Sequence, residues 1–215
     1  MEPLETLDAL AKDERVKRLK PLLRQVLEEL GEDPTREGLL QTPERWAKAL
    51  LSYTQGMDHD PKEHLRTLFR LDEDEDAPHP ADGLVMVDNI EFVSTCEHHM
   101  APFRGVVHIG YIPNPESRTV VGLSKLSRVV DLFARRLQLQ ERMTEQIASA
   151  IDAHLHPLGV IAVAQAVHYC MIQRGVEQRA STTTTTARIG VFREEPEMES
   201  RFQDYLKIQA ERGRW

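Results

Sequence analysis

Residues 84–112 read LVMVDNIEFVSTCEHHMAPFRGVVHIGYI. Leu84–Val93 and Arg104–Ile112 are rich in β-branched and apolar residues, which favours two strands. The segment between them has turn character and contains Cys96–His99, which reads CEHH. We therefore predict two successive strands, with a thiol and two imidazoles in the turn that joins them.

Two helices and two further strands are predicted after this pair. The first helix opens at Gly122–Lys125 and runs to about Arg136, and the second runs from about Gln140 to His156 with an apolar face at helical spacing. Val160–Ile172 and Ala180–Phe192 have strand composition. The order strand, strand, helix, helix, strand, strand favours an antiparallel α+β domain over a doubly wound parallel sheet.

The N-terminal part has a different pattern. Residues 14–56 carry apolar side chains at helical spacing, and Thr42-Pro43 marks a helix start with Thr42 as N-cap. The acidic run Asp72–Asp76, followed by two prolines, is typical of a solvated loop. We predict an N-terminal helical region with an acidic connecting loop at 1–83, and the main domain at 84–215.

The composition excludes several classes of protein. The hydrophobic fraction of 40% is enough for a core, and no run approaches the ~20 apolar residues that span a bilayer. The net charge of −8 argues against a general nucleic-acid binder. The N-terminus lacks the apolar centre of a signal peptide, so we expect a cytoplasmic protein without membrane or nucleic-acid partners.

The chain contains two cysteines, and each has a histidine close by. Cys96 and His99 are in C-x-x-H spacing, and His168 precedes Cys170 by two residues on the predicted strand, where alternate side chains share a face. If Cys96, His99 and Cys170 meet, they give three ligands and an open fourth position, the pattern of a catalytic zinc site. His98 and His168 would then remain for proton transfer. Taken singly, a buried cysteine or histidine is more often a core residue.

A second set of residues is basic. Ser124 and Lys125 stand at a predicted helix start, where free N–H groups and the helix dipole favour anions, and Arg128 follows on the same face. Three further cations could join them. Arg45 and Lys48 are three residues apart on a predicted helix, and Arg174 follows Cys170 by four residues. Several cations near helix starts suit a polyphosphate, although most such side chains are simply solvated.

Gln140 and Glu141 begin the second predicted helix of the main domain. The carboxylate of Glu141 could accept hydrogen bonds from the donor edge of a purine. It could equally provide favourable charge in the first turn of the helix. The residues alone leave both interpretations open.

Four motifs in this order resemble the GTP cyclohydrolase I family. They are Ser94–His99 (STCEHH), Gly122–Lys125 (GLSK), Gln140–Arg142 (QER) and Ala166–Cys170 (AVHYC). Thr42–Arg45 (TPER) also resembles the helix start T-P-x-R of that family. The resemblance extends from about Thr42 to Phe192, and four motifs in register make it specific.

The resemblance implies a tunnelling fold (T-fold) built from a β-β-α-α-β-β unit, assembled as a homodecamer of two pentamers with active sites between subunits. It implies hydrolysis of GTP at C8, which yields formate and 7,8-dihydroneopterin triphosphate in the pathway to tetrahydrofolate. Zinc would be held by Cys96, His99 and Cys170, with His98 and His168 as acid–base groups. The predicted substrate contacts are Glu141 with Gln140 on guanine, and Ser124, Lys125, Arg128, Arg174, Arg45 and Lys48 on the triphosphate.

Three other functions are weighed against this one. A zinc deaminase would carry H-x-E with a later P-C-x-x-C, and the chain has no C-x-x-C. A non-catalytic T-fold or structural zinc protein would need a fourth protein ligand and gives no reason for two spare histidines. A related pterin enzyme with another substrate is distinguished only by assay.

Overall fold

The computed structural model describes residues 4–70 and 83–212, with side chains at 11–70 and 83–208. The chain divides into a first unit that ends at Gln55 and a second that begins at Gly56. The predicted domain boundary between residues 83 and 84 falls inside the second unit and stays a prediction. The acidic run Asp72–Asp76 lies outside the described residues.

The first unit is helical, as its sequence pattern indicates. Helix α1 spans Leu4–Glu29, a 3-10 turn covers Glu37–Leu39, and α2 spans Thr42–Tyr53. Helices α1 and α2 bury a small core of Val16, Leu23 and Ala47. Gln41, rather than the predicted Thr42, is the N-cap of α2, and Pro43 lies in the first turn, where its missing N–H leaves no hydrogen bond unmade.

The second unit mixes strands and helices. Its strands are β1 (Leu68–Arg70), β2 (Val85–Cys96), β3 (Pro102–Ile112), β4 (Thr119–Val121), β5 (Leu137–Gln138), β6 (Gly159–His168) and β7 (Thr183–Gly190). Its helices are α3 (Leu123–Ala134), α4 (Gln140–Leu155), α5 (Tyr169–Ile172), α6 (Val191–Glu194) and α7 (Pro196–Arg212), with 3-10 turns at Gln55–Asp58 and Pro61–Glu63. Within the described part of the chain, every helix is too short or too polar to cross a membrane.

The main sheet has the strand order β5-β2-β3-β6-β7. The three pairs β2–β3, β3–β6 and β6–β7 are antiparallel, as predicted. The short strand β5 pairs parallel with β2, and this joins Cys96 to Gln138 in register. The sheet is therefore mixed, and the expectation of a purely antiparallel sheet is corrected. A separate antiparallel pair, β1 with β4, was not predicted because each strand has three residues.

Both faces of the main sheet are covered. Strand β6 shows the reason, since its side chains alternate between two clusters. Val160, Ala162, Ala164 and Ala166 join the core with α3 and α4, whereas Ile161 and Val163 join a second cluster with Phe192 and Phe202. The core with α3 and α4 extends to Ala166, near the end of the sheet where β2 finishes, β3 begins and β6 finishes, whereas the second cluster lies where β6 begins.

The predicted strand Val160–Ile172 is too long. Strand β6 ends at His168, and the next four residues form the helical turn α5, in which Gln173 N–H donates to Tyr169 O at 2.9 Å. His168 and Cys170 therefore do not share a face by strand alternation. The apolar composition continues past the end of pairing, so composition alone could not locate that end.

Candidate functional site

The CEHH turn presents three metal-binding groups together. Cys96 is the buried last residue of β2, and His98 and His99 are exposed in the turn that follows. One ligand atom from each of the three lies within 4.8 Å of the others. The turn is closed by hydrogen bonds from Cys96 N–H to Ala101 O at 2.8 Å and from Met100 N–H to Cys96 O at 2.9 Å.

The donor set fits zinc. Cys96 Sγ lies 3.8 Å from His99 Nδ1. In a tetrahedral site, Zn–S and Zn–N bonds of about 2.3 and 2.1 Å place sulfur and nitrogen about 3.5 Å apart. The two atoms are thus already near the separation that a shared ion requires. A thiolate with imidazoles is also the ligand class that zinc prefers.

Cys170, on α5, lies close enough to Cys96 to interact with it. Burial raises the pKa of the Cys170 thiol, and the adjacent Cys96 thiol raises it further, while Arg174 acts in the opposite direction. The two thiols are therefore close enough to interact, although they are 74 residues apart in the numbering. A cation bound between two such thiols stabilises their deprotonated, thiolate forms. The structure groups Cys96, His98 and His99 within 4.8 Å of one another, and Cys170 lies near Cys96 but outside that group.

His168 is fixed by its neighbours at the end of β6. Its Nε2 lies 2.7 Å from Gln140 Oε1, and its ring stacks on Phe103 with centroids 4.6 Å apart and planes 3° from parallel. Burial lowers the pKa of His168, and the nearby Glu141 carboxylate partly opposes this. His168 and Glu141 are thus close enough to interact.

Gln140 determines which nitrogen of His168 carries the proton. Its side chain is 1% exposed, and its Nε2 donates to Ala164 O and Thr183 O, both at 3.0 Å. Its Oε1 must therefore accept, so neutral His168 carries hydrogen on Nε2 and leaves Nδ1 as a lone pair. Gln140 thus positions His168, and its predicted place beside guanine stays a prediction.

Substituting Gln140 by alanine should lower the free energy of unfolding by about 1–3 kcal/mol, because buried carbonyl groups lose their donor. Urea unfolding followed by circular dichroism, at equal protein concentration, measures this. Gln173→Ala, which removes an exposed glutamine, is the matched control. Equal midpoints for the two variants would contradict the role assigned to Gln140.

The basic residues predicted around α3 form a local cluster. Ser124 and Lys125 lie in the first turn of α3, which has no side-chain cap, and Arg128 follows one turn later. Burial lowers the pKa of His64, and the charges of Arg128 and Lys125 lower it further, so His64 belongs to this cluster. Sequence reasoning missed His64 because it lies in the predicted connection, far from any motif.

The other predicted phosphate contacts are on different elements. Arg45 and Lys48 are exposed on α2 of the first unit, where Arg45 donates to Gln41 Oε1 at 2.8 Å and Lys48 pairs with Glu44 at 2.8 Å. Arg174 is exposed just after α5, near Cys170. Among the described side chains, no hydrogen bond or ion pair joins the α3 cluster to the Cys/His group.

A family model described as GTP cyclohydrolase I matches residues 19–207. The chain belongs to the GTP cyclohydrolase I family. It is 51% identical over 186 residues to GTP cyclohydrolase 1 of Porphyromonas gingivalis, covering 86% of this chain and 91% of that protein. It is 47% identical to GTP cyclohydrolase 1 of Saccharomyces cerevisiae over 84% of this chain and 70% of the yeast protein, and 47% identical to that of Rattus norvegicus over 85% and 71%.

The family match covers both units and every motif that suggested it. The resemblance drawn from STCEHH, GLSK, QER and AVHYC is therefore confirmed. The mixed α+β unit with its curled sheet is compatible with the fold of the family. The match includes the residues of the Cys/His group, which could hold a metal ion.

Proposed function

We propose that the protein is a zinc-dependent GTP cyclohydrolase I, which hydrolyses GTP at C8, releases formate and forms 7,8-dihydroneopterin triphosphate for pterin and tetrahydrofolate synthesis. The observation that carries this proposal is the group of metal-binding side chains Cys96, His98 and His99 at one end of the sheet, with Cys170 close enough to interact with Cys96, in a chain of this family. Zinc would be held by Cys96, His99 and Cys170. A zinc ion bound there supplies water activation near neutral pH.

His98 and His168 are the proposed acid–base groups. His98 is exposed in the turn, with its ring centroid 6.0 Å from that of His99 and nearly perpendicular to it. We assign it the protonation of purine N7, which makes C8 electrophilic. His168, with Nε2 held by Gln140, would exchange a proton at Nδ1 as the imidazole ring opens. Imidazole is the side-chain group best suited to both giving and taking a proton near neutral pH.

The substrate contacts follow the charges that the structure presents. Glu141 would accept hydrogen bonds from the donor edge of guanine, beside the imidazole of His168. Ser124, Lys125 and Arg128 would bind the triphosphate at the α3 N-terminus, with Arg174, Arg45 and Lys48 as further contacts. We infer a T-fold homodecamer of two pentamers in the cytoplasm, with neighbouring subunits sharing each site.

The test is incubation of the protein with GTP, with and without a chelator. We expect formate and a pterin absorbance without chelator, their loss with it, and recovery when zinc is restored. Metal analysis should give about one zinc per chain. GTP left unchanged by a zinc-loaded protein would favour the structural zinc alternative. Full activity with less than about a tenth of a zinc per chain would end the metal assignment.

A further inference from the structure

Glu97 lies between Cys96 and His98 in the sequence, yet its side chain interacts with helix α4. Its carboxylate forms an ion pair with Arg142 of α4, in which Arg142 Nη1 lies 3.5 Å from one oxygen and Nη2 contacts the other. A residue with metal-binding groups on both sides is thus fixed to a different element.

Arg142 is itself held in place. Its Nε donates to Gln138 Oε1 and its Nη2 to Leu137 O, both at 3.1 Å. Gln138 is 1% exposed, and its Nε2 donates to Phe133 O at 3.0 Å and Gln146 Oε1 at 2.8 Å. The guanidinium that receives Glu97 therefore belongs to a network anchored in the core.

The main chain of the turn is attached to the same strand. Glu97 N–H donates to Gln138 O at 3.1 Å, continuing the parallel pairing of β2 with β5. Glu97 is therefore tied to residues 137–138 twice, directly through its N–H and through Arg142 at its carboxylate. The residues after it, His98 and His99, are exposed and depend on this attachment for their orientation.

We propose that the Glu97–Arg142 pair is a brace that sets the metal-binding geometry of the CEHH turn. The proposal rests on the proposed zinc site and makes both residues positioning residues, neither of them ligands. The two side chains remain 31% and 41% exposed, so the pair adds little to global stability. Its effect is on orientation, since partners that orient metal ligands typically change metal affinity by about 10- to 100-fold.

The experiment measures zinc affinity by competition with a chromophoric chelator, for wild type, Glu97→Ala, Arg142→Ala and the double variant. We expect each single variant to bind zinc about 10- to 100-fold more weakly, and the double variant to be no weaker than the worse single one. Asp131→Ala, which breaks the exposed 2.9 Å pair with Arg135 on α3, is the matched control and should bind zinc like wild type. Arg142→Gln is the second variant if Arg142→Ala does not fold.

The direction in which the zinc affinity changes in Arg142→Ala distinguishes the brace from a simple effect of charge. Removing a positive charge near the site would by itself tighten zinc binding, whereas removing the brace weakens it. Zinc binding by Arg142→Ala that equals or exceeds wild type overturns the brace and leaves the proposed function standing. Wild-type protein that binds no zinc overturns the metal centre and the brace together.

Discussion

Replacing Cys170 by alanine is expected to remove zinc and turnover together. The Cys170 thiol interacts with Cys96, and without Cys170 the site retains one thiol and the imidazoles of the turn. Zinc content after dialysis should fall below about a tenth per chain, because a site with fewer thiolates holds the ion less tightly. Formate release should fall by at least about a thousandfold, which corresponds to the several kcal/mol that a metal ion provides.

Two measurements on the same preparation make this test decisive. Zinc per chain is determined by elemental analysis, and formate release is followed from saturating GTP. Met171→Ala is the matched control, because it shortens the neighbouring side chain of α5 and removes no predicted ligand. A metal-free Cys170→Ala protein with wild-type turnover would contradict the zinc mechanism. Full zinc retention would instead remove Cys170 from the ligand set.

The elements that sequence predicted well are those with a strong local pattern. Helix α4 was expected from Gln140 to His156 and spans Gln140–Leu155, because its apolar face repeats at helical spacing. Strands β2 and β3 were found because β-branched runs flank a polar turn. In these segments, local propensity and burial in the final fold favour the same conformation.

The elements that sequence misplaced depend on distant partners. Strand β6 ends at His168 because pairing with β3 stops there, at Phe103, and nothing in the composition of the segment marks that point. Strand β5 has two residues and exists only through its pairing with β2. Long-range pairing of this kind leaves no periodic pattern in a short segment.

The sequence indicates which side chains could be metal ligands, but it does not indicate the hydrogen bonds that position the residues around them. C-x-x-H spacing and the two cysteines indicated which side chains could meet. The amide of Gln140, which sets the tautomer of His168, and the guanidinium of Arg142, which holds Glu97, act through contacts across the fold. Residue type does not reveal whether a glutamine or an arginine faces a substrate or another side chain, so these positioning roles required the structure.

Replacing His98 by alanine is expected to leave zinc bound while turnover falls. An acid–base group contributes about a 10²- to 10⁴-fold effect, so formate release should decrease by that factor. The zinc content should stay near one per chain, since Cys96, His99 and Cys170 remain. Zinc analysis and formate release are again measured together. His59→Ala, which removes a half-exposed imidazole outside the Cys/His group, is the control.

The result also decides between two roles that the geometry allows for His98. One ligand atom of His98 lies within 4.8 Å of those of Cys96 and His99, so His98 could itself bind the ion. Loss of zinc in His98→Ala would make it a ligand, whereas retained zinc with slow turnover would support proton transfer to N7. Unchanged formate release would remove His98 from both. The 3.8 Å separation between His99 Nδ1 and Cys96 Sγ favours His99 as the ligand and leaves His98 for proton transfer.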